Sequence, residues 1–421
     1  MNNTKTKFSG YFVFIGCLLL MIFPGGLLSY TSGLFMYPIC AEFSFSLTSY
    51  SLSTVTAACV NAIVSALFVQ YLAKGRRSQM KWLMLISAFV TCGGFALLSR
   101  CTQLWQFIVM SGVWSLGYNM LCYVPVGMMM TNWFNKNRAL MTGVAFAGGN
   151  LGGAIFNTVM SQIMANQGWR SAYVFGGAIC FAAIMIALLL IKRSPEEYGQ
   201  KALGASEVTE TSDGNVQQNV WHGVDKKTAL KSPALYIACA ATFLTGVYAA
   251  GVCNHVVTFL CTGNWEITAA GFVMTVFTLF GMVGNSVGGG VIGKIGLKKG
   301  IVLGASLLII AIISLTMANQ VKAMAYVWCA FQGLASFVAI LIPSLVVSET
   351  FGTKDYAAIY GIVYACYLVG CAVSTTIVAF IAENTSYTVA WIAVIVIIAV
   401  LAVLHLICQK EGKKLREQFP N

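Results

Sequence analysis

KRSPEEYGQKALGASEVTETSDGNVQQNVWHGVDKKTALK, residues 192–231, is the one long polar stretch in a chain of 421 residues. It mixes Pro, Gly, Ser, Thr and Asn with both signs of charge. Large apolar residues are so few that it cannot bury a core, and it reads as a linker. About 190 residues lie on either side, each block holding several apolar runs of the ~20 residues needed to cross a bilayer. Of the whole chain 58% is hydrophobic and 9% charged, against about a quarter charged in soluble domains. The chain reads as an all-α membrane protein embedded in the lipid bilayer.

The formal charge of +12 raises the question of nucleic acid. The cations sit in short loops between apolar runs, which is the pattern of membrane orientation, so a nucleic-acid partner is set aside. The 14 cysteines are scattered through the apolar runs with no CxxC pair and no ligand spacing. They behave as small buried side chains, and no metal or cofactor is expected. Lys5 and Lys7 precede an apolar run far longer than a signal peptide's, without a small-residue cleavage site, so that run is the first span.

Hydropathy and helix breakers predict twelve transmembrane helices, at roughly 8–37, 49–73, 80–100, 104–131, 139–165, 169–191, 233–262, 267–292, 300–319, 323–347, 356–381 and 388–408. The expected domains are an N-terminal six-helix bundle (1–192), a cytoplasmic linker (193–231), and a C-terminal six-helix bundle with a short basic tail (232–421). Of the 25 Lys and Arg, only Arg100, Arg170 and Lys322 fall in the alternate set of loops. Cationic loops resist translocation, so both termini and the linker are predicted to be cytoplasmic. The loop after span 2 carries Gly75, Arg76 and Arg77; the loop after span 8 carries Gly293, Lys294, Gly296 and Lys298. Small residues and a cationic turn at the same place in each block point to two pseudo-symmetric bundles.

Twelve spans in two halves with these two loops resemble the major facilitator superfamily (MFS) of secondary transporters. In that family the loop latches neighbouring helix ends, and the resemblance implies this role for Gly75, Arg76, Arg77, Lys294, Gly296 and Lys298. Both copies lack the family's Asp, with Leu72 and Gly293 in its place. Tyr123-Val124-Pro125, NWFNKNRALMTGVAFAGGNLGG (132–153), Gly168-Trp169-Arg170, His255 to Gly263 with Glu266, and Phe351-Gly352-Thr353-Lys354 with Tyr360-Gly361 resemble the oxalate/formate antiporter and monocarboxylate porter branch. That resemblance implies a multi-pass transporter of the cell membrane whose cargo is a small organic acid.

Dicarboxylate carriers of the branch hold their anion with an Arg on span 8 and a Lys on span 11. Here Asn285 and Tyr367 stand at or beside those positions. A dianion without a buried cation is costly, which disfavours oxalate. His255 is the titratable group at depth, apart from Tyr and Cys, that could serve as a direct cargo or proton site or as a helix-bonded neutral ring. Asn119 and Tyr123 lie one turn apart on span 4, Tyr364 and Tyr367 share a face of span 11, and Asn150 and Asn285 are amides inside apolar runs. Span 1 carries Pro24, Gly25 and Gly26 near its midpoint, followed by Tyr30; an opened helix there must face protein or a cavity. The glycines of spans 5 and 8 permit close helix contact.

The candidate substrate-binding set is therefore Tyr30, Asn119, Tyr123, Asn150, His255, Asn285, Tyr364 and Tyr367, with no catalytic residues. The function expected is alternating-access transport of a monocarboxylate-type acid, with a proton or a counter-anion as the possible coupling species. The alternative on the same fold is an exporter of apolar or amphipathic compounds. An enzyme is disfavoured because His222, His255 and His405 are far apart in the chain and no paired carboxylates lie in the spans.

Overall fold

Span 1 (Gly10–Phe43) opens its helix where Pro24 removes a backbone donor: Gly10–Leu20 is α-helical, Met21–Leu28 is π-helical, and Ser32–Phe43 resumes the α-helix. The structure, a computed structural model, describes residues 10–73, 80–134, 138–192, 195, 203, 223–352 and 354–418. Gly75, Arg76 and Arg77 lie outside the described residues.

Among the described residues, 11 helices are long and apolar enough to cross a membrane. One of them, Met141–Leu190, is 50 residues long, over twice the ~20 that a crossing needs. It reverses at Gly168, whose φ of 82° and ψ of 164° are unfavourable for a residue with a Cβ. That makes twelve crossings. After span 1 they are span 2 (Leu47–Ala73), span 3 (Met80–Leu97), span 4 (Leu104–Leu121 and Tyr123–Trp133), span 5 (138–167) and span 6 (169–190). Then come span 7 (Pro233–Thr262), span 8 (Ile267–Ile295), span 9 (Leu297–Met317), span 10 (Ala323–Leu334, Phe337–Ile340 and Ile342–Phe351), span 11 (Tyr356–Asn384) and span 12 (Tyr387–Gln418).

Three features differ from the sequence expectation. Spans 4 and 10 are broken, at Cys122 and around Ala335. Pro125 and Pro343 follow the breaks; each lacks an N–H and crowds the carbonyl four residues back, so an unbroken helix through either is unfavourable. Span 12 continues to Gln418, so the basic tail is helical. Its Gly412 lies close enough to Thr350 that a Cβ would meet the Thr350 Cγ2 at 2.9 Å. Gly223 to Lys231, read as linker, is docked. The Val224 N–H donates to the Phe351 carbonyl (3.0 Å), the Lys226 N–H to Asp355 Oδ2 (2.7 Å), and Val224 and Ala229 are buried.

An even number of crossings leaves both ends and the linker on one face, here called the terminal face, and the loops at Ser44, Gly168, Gly263 and Thr385 on the far face. Backbone contact through glycine repeats along the chain. A Cβ on Gly152 of span 5 would stand 2.0 Å from the Ile22 carbonyl oxygen of span 1. A Cβ on Gly370 of span 11 would stand 2.2 Å from the Phe243 carbonyl oxygen of span 7. Spans 1 and 5 thus meet as spans 7 and 11 do. Gly284 and Gly333 join spans 8 and 10 in the same way.

Contacts between the residues before and after the linker gather toward the far face. Thr158 and Thr275 hydroxyls share a hydrogen bond of 2.8 Å between spans 5 and 8. Ser51 and Thr376 do so at 2.7 Å between spans 2 and 11. The Glu383 carboxylate of span 11 accepts from the Leu47 N–H, the Thr48 hydroxyl and, at 3.2 Å, the Thr48 N–H. The two N–H groups are orphan donors at the start of span 2, where the helix dipole also favours an anion. Replacing Glu383 by alanine should loosen this seal by about 1–2 kcal/mol, a five- to thirtyfold shift of an open–closed equilibrium. The measurement is labelling of Cys253 and Cys371 by a membrane-impermeant thiol reagent from the far face, in a background lacking the other cysteines. Unchanged labelling would remove Glu383 from the seal.

Candidate functional site

A cavity of about 460 Å³ lies at mid-depth, walled by side chains from both sides of the linker. Its volume is that of a small-molecule site, commonly about 300–1,000 Å³. From the first block come Tyr30, Asn61 and Asn150; from the second, Asn254, Asn285, Gln332 and Tyr367. No Asp, Glu, Lys, Arg or His is among the lining residues.

Local structure sets these groups. The opened helix of span 1 turns Tyr30 toward span 5, where its hydroxyl donates to Asn150 Oδ1 at 2.8 Å and its ring covers Gly153. The break in span 10 frees Ser336, whose hydroxyl lies 2.8 Å from Asn285 Oδ1 and 3.1 Å from the Gly281 carbonyl of span 8. Asn254 donates to Thr375 Oγ1 at 2.9 Å. Asn61 Oδ1 and Gln332 Oε1 are buried and have no protein partner. An unpaired buried polar atom costs about 1–3 kcal/mol, so these two oxygens have a reason to engage a ligand or water.

Four of the eight candidates therefore line the cavity: Tyr30, Asn150, Asn285 and Tyr367. The other four do not. Asn119 is half-buried beside Tyr118, which takes the cavity side because successive helical residues turn by about 100°. Tyr123, 38% exposed, follows the break in span 4 and sets its ring against Phe146 at 5.8 Å. Tyr364, 43% exposed, lies toward the terminal face from Tyr367. His255 is fully buried, with Nε2 2.8 Å from the Thr375 carbonyl and Nδ1 3.2 Å from the Tyr387 hydroxyl. Both ring nitrogens are used inside the protein, so of the two roles read for His255 the helix-bonded one is seen. His405, in the half of span 12 toward the terminal face, is also fully buried.

Asn61, Asn254 and Gln332 were missed although they carry the signal that singled out Asn150 and Asn285, an amide in an apolar run. Tyr248, 1% exposed, also lines the cavity. Lys294 and Lys298 are exposed and make no ion pair among the described residues, and Gly296 supplies the turn between spans 8 and 9 with φ 85°. Arg170 is held away from the cavity. Its guanidinium pairs with Glu42 at 2.7 Å over the Trp169 ring, and the Trp169 indole donates to the same carboxylate at 2.6 Å.

A helical protein of twelve crossings around a closed-ended, uncharged cavity belongs to the class of multi-pass membrane transporters. The profile of the Major Facilitator Superfamily matches residues 18–262 and 258–420, and the chain belongs to that family, a family of transporters and not of enzymes. It is similar to the uncharacterized MFS-type transporter YhjX of Escherichia coli K12, with 25% identity over 244 residues, 56% of each chain. The match thus spans little more than half of that relative's length. Mouse monocarboxylate transporter 12 is 22% identical over 73% of this chain and 67% of its own. A bacterial homolog of the human lysosomal transporter Spinster shares the fold, with TM-score 0.72, 12% identity and 99% of each chain covered.

Proposed function

We propose that the protein is an alternating-access secondary transporter of the cell membrane that carries a small organic acid with a single carboxylate. The observation that carries this reading is the cavity of about 460 Å³ without a charged side chain in its wall. A dianion entering it would lose hydration without meeting a fixed cation. One carboxylate can be met by hydroxyl and amide donors, since hydrogen bonds to a charged group contribute about 1.5–3 kcal/mol each. Likeness to monocarboxylate transporter 12 and to the branch motifs supports the same cargo class.

The two halves, 1–192 and 232–421, rock about the glycine contacts, and the cation-rich loops put the terminal face in the cytoplasm. The far-face seal then makes this the inward-facing state. Asn157, fully buried at the seal with neither amide atom bonded to protein, raises the energy of the closed seal by about 1–3 kcal/mol unless water reaches it. Opening hydrates it and so favours exchange between states. With no carboxylate in the cavity wall, coupling runs through exchange for a counter-anion or through co-transport of the protonated acid.

Purified protein in liposomes should take up a radiolabelled monocarboxylate, benzoate, saturably, and at least about tenfold better than oxalate, the ratio for about 1.4 kcal/mol. Stimulation by internal benzoate identifies exchange; stimulation by an inward proton gradient identifies co-transport. If no carboxylate enters above empty vesicles, the acid reading is wrong. The apolar part of the wall, including Phe35, Phe95, Trp114 and Phe277, favours the second reading, export of apolar or amphipathic compounds. A change in the drug-sensitivity profile of an overexpressing strain would support that reading.

A further inference from the structure

Span 11 carries four tyrosines on one face, Tyr356, Tyr360, Tyr364 and Tyr367. Their rings are stacked in series, with centroids 5.5, 5.8 and 5.6 Å apart and interplanar angles of 5°, 28° and 16°. Spacings of four, four and three residues keep the rings on one side of the helix. The ladder starts at the terminal face, where span 11 begins, and runs for about 16 Å at 1.5 Å per residue to Tyr367 in the cavity wall.

Its surroundings point to a ligand. Helix packing alone would bury such a face, yet Tyr364 is 43% exposed. The next turn of span 11 beyond Tyr367 brings Cys371 and then Thr375, both in the cavity wall, so no fifth ring extends the stack. Tyr248, nearly fully buried beside Tyr367, lines the same space, and no hydrogen-bond partner is seen for its hydroxyl among the described residues. A ring stacked on Tyr367 would share the cavity with this hydroxyl and with the Asn254 and Gln332 amides.

We propose that the cargo carries a planar aromatic group, which stacks on Tyr367 in the cavity and passes between it and the cytoplasm along the Tyr364, Tyr360 and Tyr356 rings. Because Tyr356, Tyr360 and Tyr364 turn their faces to their neighbours in the stack, they offer a passing ring similar, shallow edge-to-face contacts, and the face left for stacking is that of Tyr367 at the end of the series. A cargo therefore moves from rung to rung without one deep trap. The direction of passage rests on the transport reading above; the choice of an aromatic body does not.

The test is equilibrium binding of four radiolabelled probes to the purified full chain: benzoate, cyclohexanecarboxylate, benzamide and cyclohexanecarboxamide. Each pair matches in size and polar group and differs in the flat π-system. Benzoate should bind about tenfold tighter than cyclohexanecarboxylate, as expected for one aromatic contact of the stronger kind. Tyr367→Leu should bring the ratio close to one, and Tyr367→Phe should keep it. Tyr364→Leu, at an exposed rung, should leave the ratio and slow benzoate efflux from liposomes severalfold. Preference for the aromatic member in the amide pair, with neither acid bound, would keep the ladder proposal and overturn the acid reading. Equal binding within the acid pair, or a ratio untouched by Tyr367→Leu, would overturn the ladder proposal while leaving acid transport intact. Binding of no probe would overturn it as well.

Discussion

Replacing Gly152 by alanine is expected to destabilise the folded protein by at least about 3 kcal/mol, the upper end for overpacked cores. The added Cβ would lie 2.0 Å from the Ile22 carbonyl oxygen, 2.8 Å from the Ile22 carbonyl carbon and 3.0 Å from the Gly26 Cα. All three atoms are backbone, so no rotamer change relieves the clash, and spans 1 and 5 must part. Parting them stretches the 2.8 Å bond from Tyr30 to Asn150 and opens the cavity wall from behind. The fall shows as a lower thermal midpoint and a smaller monodisperse fraction in detergent. Gly143→Ala, on the same span, is the control. Its Cβ would meet nothing within 4 Å, and removing a glycine's freedom in the unfolded chain stabilises by about 0.4–1 kcal/mol. If the two variants behave alike, spans 1 and 5 do not meet at Gly152.

Replacing Gln332 by glutamate should lower uptake of an anionic cargo about a hundredfold or more. The change is close to isosteric and adds one negative charge at a side chain that is 4% exposed and lines the cavity. Two like charges about 5 Å apart at an effective dielectric of about 20 repel by about 3 kcal/mol, and no cation in the wall offsets this. The sign with pH is determined. Burial raises the pKa of the introduced acid, and below that pKa it is neutral. Uptake should therefore recover as pH falls and be lost again as pH rises. Neutral probes of the same size should bind as before. Unchanged acid uptake at alkaline pH would mean that the cargo carries no charge near span 10, against the acid reading.

Much of the architecture was readable from composition, because a bilayer demands about 20 apolar residues per crossing and leaves few alternatives. The polar stretch at 192–231 divided the chain, and Pro24 with Gly25 and Gly26 marked the opened helix of span 1. The breaks in spans 4 and 10 carried the same mark, in Pro125 and Pro343, and went unread. Of the glycines in spans 5 and 8, Gly148, Gly152, Gly153, Gly284 and Gly288 are in close contact, whereas a Cβ added to Gly143 or Gly281 would meet nothing within 4 Å. The residue type was legible at each of them, but its use was not, since a small side chain only permits a contact that another helix must supply.

The site divides in the same way. That an uncharged cavity was to be expected followed from the absence of Asp, Glu, Lys and Arg deep in the runs, a property of the one-dimensional chain. Which amides and tyrosines face that cavity depends on helix rotation, on the breaks, and on partners more than 100 positions away, as with Tyr30 and Asn150. His255 shows the difference. Its chemistry in the sequence allowed a cargo or proton site, and the fold spent both nitrogens on Thr375 and Tyr387. Hydropathy alone determined that this chain crosses a membrane many times with little charge at depth, because transfer free energy is a sum over residues. Only the tertiary structure decided which side chains meet in the space between the spans, because contact depends on the relative placement of helices that are remote in the chain.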